Sequence, residues 1–499
     1  MTSKAISDHV IGEIIVASID ARMQELAGAD PLTSFAVRGG EYHLTFANGV
    51  ERIERPDPST GSGGGLGTFT PAMDTGFAAA PEHNIDYTAQ FAAVRSTISE
   101  LLDPWRELPD PEDLDRSIAA CRDVTTRLIR EHWTDGSGAH RGAGAVIDSS
   151  LSAIAADSAD FTGATARNFR STYLFRIPAV IESHLALTLT RGGSVFAQQQ
   201  LWAAVRTELI SVITLTTSAM RAVVTDEGDE LTHTFGFIGV AAQAIKAFAP
   251  GVVGKAIDFV SASLATVQST QSATVTIGAD TYAAVLSELR SALDALSEHV
   301  RAEETTIRRT IEAHIDDSQR AGNRADYDLD DVALGPTAAI GMDAESLNHI
   351  ADHTLPALAR ELAEIADLNE SCSTAFAVTR NAAIGLGATG PAEHIKSLDR
   401  YIRDLLDDLA AEVLDGAVQL NLVVDDFAAN EAEVMRQLNQ YLAGLEHIVA
   451  DRPRGDPLDH PAPSGIEAPF APGLDTGRRD SHQIRLDLDS LMRGPAQQP

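Results

Sequence analysis

The stretch 343-DAESLNHIADHTLPALARELAEIADLNESCSTAFAVTRNAAIGLGATGPAEHIKSLDRYIRDLLDDLAAEVLDGAVQLNLVVDDFAANE-431 decides the fold class. Its stripe positions recur at helical spacing twice, first as Leu347, Ile350, Thr354, Leu358, Leu362 and Ile365. They return as Ile395, Leu398, Ile402, Leu405, Leu409, Val413, Leu420, Val423 and Phe427. Steps of three and four give each segment one oily face. Between them, Ile384-Gly385-Leu386-Gly387-Ala388-Thr389-Gly390-Pro391 cannot continue a helix, because Gly costs backbone entropy and Pro391 restricts the residue before it. An antiparallel helical hairpin is expected.

Working outward, the 499 residues are 44% apolar but only 5% aromatic, so the oil is mostly Ala, Leu, Val and Ile, which suits close helix packing. A mainly α protein of tandem helical hairpins follows. The formal charge of −34, from 72 acids against 38 bases, repels phosphate backbones and excludes nucleic acid as the expected partner. Cys121 and Cys372 lie far apart in sequence and form neither a metal-ligand spacing nor a disulfide framework. Ser7, Asp8, His9 and Glu13 interrupt the N-terminal apolar positions, so no general secretory signal is expected. No run approaches the roughly 20 apolar residues of a membrane-spanning helix. The best candidate, 235–267, is broken by Gln243, Lys246, Pro250, Lys255 and Asp258.

Residues 1–55 read as a small unit: an amphipathic helix through Ile6, Val10, Ile14, Met23 and Leu26, then a β-meander turning at Gly39-Gly40 and Asn48-Gly49. Such a unit is marginal alone and is expected to dock on the larger body or on another copy. Residues 56–85, with Ser-Thr-Gly-Ser-Gly-Gly-Gly, read as a flexible linker. Residues 86–325 form an enlarged helical module carrying the apolar insert 235–267, and its long helix has Leu286, Leu289, Leu293, Leu296, Val300, Ile307 and Ile311 on one stripe. An acidic linker, 326–342, leads to the second module, 343–450, and 451–499 reads as a disordered tail. Trp105, Trp133 and Trp202 read as core anchors.

Phe161-Thr162-Gly163, followed by Ala166 and Phe169, resembles the turn of the WxG-type, Esx-like substrates of type VII secretion, with Phe in place of Trp. In that motif an aromatic wedge packs across both helices of a hairpin while Gly lets the chain reverse. Near the end of the second hairpin, Phe427-Ala428-Ala429-Asn430-Glu431 is similar to the family's export signature, an aromatic followed four residues on by an acid. Phe427 and Glu431 would share one helix face. A stricter match, Tyr327 with Asp331, follows the long helix of the first module. The second hairpin departs from the family in having no Trp at its turn. The resemblance implies export by the type VII route to the envelope or the medium after synthesis in the cytoplasm. It also implies recognition by a secretion ATPase or secretion chaperone, and pairing with a helical partner protein or with self.

Two other classes compete with this non-enzymatic interaction protein. The Gly- and Ala-rich 235–267 would serve a membrane-active or pore-forming effector. His349 and His353, one turn apart with Asp352 between them, superficially resemble a zinc motif, and His394 on the opposing helix is the candidate third ligand. Asp stands where that motif has Glu, and solvated histidines account for the same pattern, so neither a metal, a cofactor nor a catalytic residue is expected. Asp407, Asp408, Glu412 and Asp415 read as a solvated acidic face.

Overall fold

The first helix, α1 (Asp8–Gly28), is buried on all sides: every residue from Ile14 to Ala21 is enclosed, so the amphipathic expectation is corrected to a core helix. Ile15, Val16 and Ile19 fill the faces that a single stripe leaves polar. The computed structural model describes residues 6–28, 33–71, 85–130, 133–134, 140–141, 144–159, 162–163, 170–225, 231–235, 239–248, 274–278, 280–320, 323, 326–329, 340–341, 344–369, 372 and 378–427. The expected tail, 451–499, lies outside them.

Four antiparallel strands follow in sequential order, β1 (Ser34–Arg38), β2 (Glu41–Phe46), β3 (Gly49–Glu54) and β4 (Gly67–Pro71). The first three are the expected meander. Phe46 pairs with Gly49, which puts the reversal on Ala47 and Asn48, one residue earlier than the Asn-Gly signal suggests. The fourth strand corrects the flexible linker. Gly61, Gly63, Gly64 and Gly65 all have positive φ, a conformation glycine adopts without steric cost. They let the chain turn back so that Glu54 N donates to Leu66 O at 2.9 Å and Gly65 N to Glu54 O at 2.8 Å. A glycine run reads as flexible by composition, but here hydrogen bonds hold Gly61, Gly63 and Gly65 in place. The sheet is tied to α1 through Asp20, which accepts from Tyr42 Oη at 2.6 Å and from Arg55 Nε at 2.9 Å.

Helices α2 (Tyr87–Arg106), α3 (Asp115–Leu128) and α4 (Ala145–Asp157) come next, with the short pair β5 (Trp133–Thr134) and β6 (His140–Arg141) between the last two. After β7 (Thr162–Gly163) and a π turn at Arg170–Leu174, α5 (Ile177–Thr225) runs for 49 residues. Strands β8 (Leu231–Thr234) and β9 (Thr274–Ile277) pair around an excursion that includes α6 (Val240–Ala247). Then follow α7 (Tyr282–Gln319), β10 (Ile340–Gly341), α8 (Ala344–His349), a second π turn at Ile350–Thr354, α9 (Leu355–Asn369) and α10 (Ala392–Phe427). Helices α9 and α10 pack closely and run antiparallel. Asn369 at the end of one donates to Asp399 O at 2.6 Å, and Asn421 near the end of the other donates to Asp352 Oδ1 at 2.8 Å.

Buried apolar side chains sort into two clusters that cross the expected module boundaries. One joins α1, the sheet and α2 to residues 201–223 of α5 and 285–300 of α7. The other joins α3, α4 and residues 177–197 of α5 to 307–315 of α7, α9 and α10. Thus residues 86–325 and 343–450 share a core, as do 1–55 and 86–325. Arg127 adds a polar tie from α3 to α9, donating to Glu361 at 2.6 and 2.8 Å and to Glu364 at 2.6 Å.

By length and composition α5 is apolar enough to cross a membrane, with a mean hydropathy of 1.2 in an 18-residue window. Of that window 44% is buried, whereas every residue from His184 to Val195 is, and α1, α3, α6, α7 and α10 pack on the helix. One correction in this region concerns 326–342, whose acids conceal an inward pair, Tyr327 and Leu329, both buried.

Candidate functional site

Of the two export-like elements, the structure describes Tyr327 and Phe427, while Asp331 and Glu431 lie outside the described residues. Tyr327 is 8% exposed and is not displayed at a bundle end. Its ring lies 6.4 Å from that of His184 on α5, stacked at 28°, and its carbonyl accepts from His184 Nε2 at 3.2 Å. Arg176 Nη2 donates to Asp328 O at 2.9 Å, and Leu329 N donates to Glu412 Oε2 at 3.3 Å. The segment is therefore sewn between α5 and α10. Burial pushes the Tyr327 phenol up and His184 down to about 4, so both are neutral near pH 7. Phe427 lies on α10 and is its last described residue.

The WxG-like turn falls between α4 and α5. Phe161 and Phe169 lie outside the described residues, and Gly163 pairs in β7 with Ile340 of β10. The nearest described aromatic along the chain is Tyr173, which the sequence places in the helical run continuing through Ile177. It is buried, and its hydroxyl donates to Glu412 O at 2.8 Å where Gly416 leaves α10 without a side chain in its way. Aromatic wedge and glycine notch thus sit on different helices, a pairing no local motif can reveal.

The three histidines are not brought together. His349 Nδ1 pairs with Asp157 Oδ2 at 2.6 Å, and the His349 and His353 rings are 5.7 Å apart. His394, at the opposite end of the antiparallel α9 and α10 pair, has Nε2 3.2 Å from Glu312. Among the described residues no group of three His, Cys, Asp or Glu side chains is disposed to hold a metal.

The described part of the apolar insert is docked rather than free. Phe235 is buried, and β8 and β9 clamp the two ends of the excursion together. Glu303 of α7 caps α6, accepting from Gly239 N at 2.6 Å and Ala241 N at 2.9 Å. Phe248 and Ile245 then sit in a notch made by Gly192 and Gly193 on α5, where a side chain at Gly192 would collide with the Phe248 ring. Residues 249–267 lie outside the described residues.

A polar belt separates the two apolar clusters. On α5 the change of cluster falls at Gln198, and on α7 at Glu303 and Glu304. Arg380 reaches in from the segment before α10, forms a two-pronged pair with Glu304, and lies over the Trp202 ring at 5.0 Å. Burial pushes the Glu304 carboxyl up while Arg380 opposes that shift. Ser297 Oγ and Arg301 Nη2 donate to the carbonyls of Ile384 and Gly385, each at 2.6 Å, strapping the same segment to α7. The belt fixes how the two halves meet. The Asp407 end of the expected solvated face is also corrected: Asp407 is buried, with burial pushing its carboxyl up to about 8 against the pull of Arg403.

No protein-family model, no curated protein and no solved structure matches this chain.

Proposed function

We propose that this chain is a non-enzymatic helical interaction protein exported by a type VII route, with Phe427 and Glu431 as its export element and partner binding as its action. The antiparallel packing of α9 and α10, with Phe427 on the second helix, is the observation that carries the reading. Two tandem hairpins are the finer architecture inferred with it, the first turning at Phe161, Gly163 and Phe169. Tyr327 is occupied inside the fold, which favours Phe427 over Tyr327 as the residue read by a secretion ATPase or chaperone. The destination is the envelope or the medium, and the partner is a helical protein or a second copy.

Export from a host with a type VII apparatus tests this. The Phe427→Ala, Glu431→Ala double variant should be retained in the cells while Tyr327→Phe is exported like the parent. Undiminished appearance of the double variant in the medium would refute the assignment.

A second reading, a membrane-active effector, is favoured by the way α6 and Phe248 are held in the Gly192 and Gly193 notch. Dye release from liposomes across a range of pH should then occur and should rise in variants that loosen the notch. Intact liposomes at every pH would end that reading.

A further inference from the structure

Cys121 on α3 and Cys372, three residues beyond the end of α9, meet inside the protein although the sequence holds them far apart. Both are unbonded thiols with 0% exposure in the same apolar cluster, close enough to interact, and Asn369 at the end of α9 holds the chain before Cys372 to Asp399 O at 2.6 Å. Arg191 of α5, itself 0% exposed, is near enough to act electrostatically on both thiols. Its Nη1 is 3.4 Å from Asp399 Oδ1 on α10, while its Nε and Nη2 have no hydrogen-bond partner. Two thiols, a guanidinium and a carboxylate from four different segments thus form one buried cluster.

The cation decides what chemistry this cluster suits. A guanidinium beside two sulfurs repels a metal ion and favours a thiolate, the nucleophile of disulfide exchange. The hydrogen bond from Cys372 holds the Cys121 thiol below its ordinary value against the effect of burial, and Arg191 adds to it. The same hydrogen bond, with burial, pushes Cys372 up. The two thiols therefore do not ionise together.

We propose that Cys121 and Cys372 are a redox-active dithiol that closes to a disulfide by exchange with a disulfide oxidant, joining α3 covalently to the segment after α9. In a locally opened state the Cys372 thiolate attacks one sulfur of the oxidant, and the other sulfur leaves with the electron pair and takes up a proton. On reclosure the Cys121 thiolate beside Arg191 attacks the Cys372 sulfur and expels the remaining half of the oxidant, which is protonated in turn. Two electrons and two protons pass from the cysteines to the oxidant's disulfide. The inference does not depend on the route of export.

The test uses the full reduced chain incubated with oxidised glutathione, then unfolded, alkylated and mapped without reductant. A cross-linked Cys121 and Cys372 peptide is expected, with an intact mass lower by the two hydrogens and a Tm raised by about 5 °C, both reversed by dithiothreitol. In Cys121→Ser the glutathione should instead remain on Cys372 as a mixed disulfide, because the resolving thiolate is gone. Recovery of both cysteines alkylated, or of mixed disulfides that persist in the parent as they do in Cys121→Ser, overturns the proposal.

Discussion

Arg380 holds Glu304 with both arms of its guanidinium, Nη1 at 2.6 Å and Nη2 at 2.9 Å, and the two side chains are 0% and 8% exposed where the apolar clusters meet. A buried pair of this kind is costly to break because the remaining charge stays buried without its partner. Arg380→Ala should lose about 3–5 kcal/mol of stability in urea unfolding. The double variant Arg380→Met, Glu304→Leu should lose less than Arg380→Ala alone, since it leaves no charge stranded. A double variant that is worse than the single one would mean that the pair contributes net attraction.

Asp407 gives a pH prediction of definite sign. Burial raises its carboxyl from 3.8 to about 8 in the folded chain, so the folded state binds this proton more tightly than the unfolded state does. That contribution is complete below the unfolded value and disappears as pH rises through about 8. Asp407→Asn should therefore gain on the parent with rising pH, by about 2 kcal/mol or more between pH 5 and pH 9. Denaturant midpoints at the two pH values measure it, and a pH-independent difference contradicts it.

The notch under Phe248 predicts coupling between two residues on different helices. Gly192→Ala should cost about 1–3 kcal/mol by forcing the ring out, and Phe248→Ala about 3–5 kcal/mol by emptying its site. Together they should cost clearly less than the sum, because the smaller side chain at 248 admits the new methyl group. Chemical unfolding of the four proteins of this cycle gives the coupling energy, and strict additivity would show that the ring does not occupy the notch.

Tyr327 separates a core residue from a displayed signal. Buried against His184, it should cost about 3–5 kcal/mol on replacement by Ala, as large aromatic truncations in cores do. A residue on the surface would cost within about 0.5 kcal/mol. Thermal unfolding of Tyr327→Ala distinguishes the two, and it also determines whether an export defect in that variant reflects lost recognition or lost fold.

Periodicity made the helices legible. The stripe from Leu286 to Ile311 is the buried face of α7, and that from Leu347 to Ile365 is buried along α8, the π turn and α9. Trp105 and Trp202 are buried as the sequence suggested. What stayed hidden is long-range. Ala197 and Leu201 look equivalent along α5 yet belong to different cores, because the partners that divide them, Glu304 and Arg380, arrive from far along the chain. The glycines at 61–65 concealed a fixed turn, and the acids around Tyr327 concealed an inward aromatic, since composition averages over the alternation that matters. Cys121 and Cys372 carried no spacing signal, because their proximity exists only after α3, α5, α9 and α10 have assembled.

The burial of α1 on every side has a consequence for synthesis. The faces of α5 and α7 that cover this helix lie far downstream of it, in residues 201–223 and 285–300. At about 5–20 residues per second, the nascent chain carries an uncovered oily helix for roughly 10–60 s before its last cover emerges. Through that wait the apolar faces of residues 8–28 stay open to association with other chains.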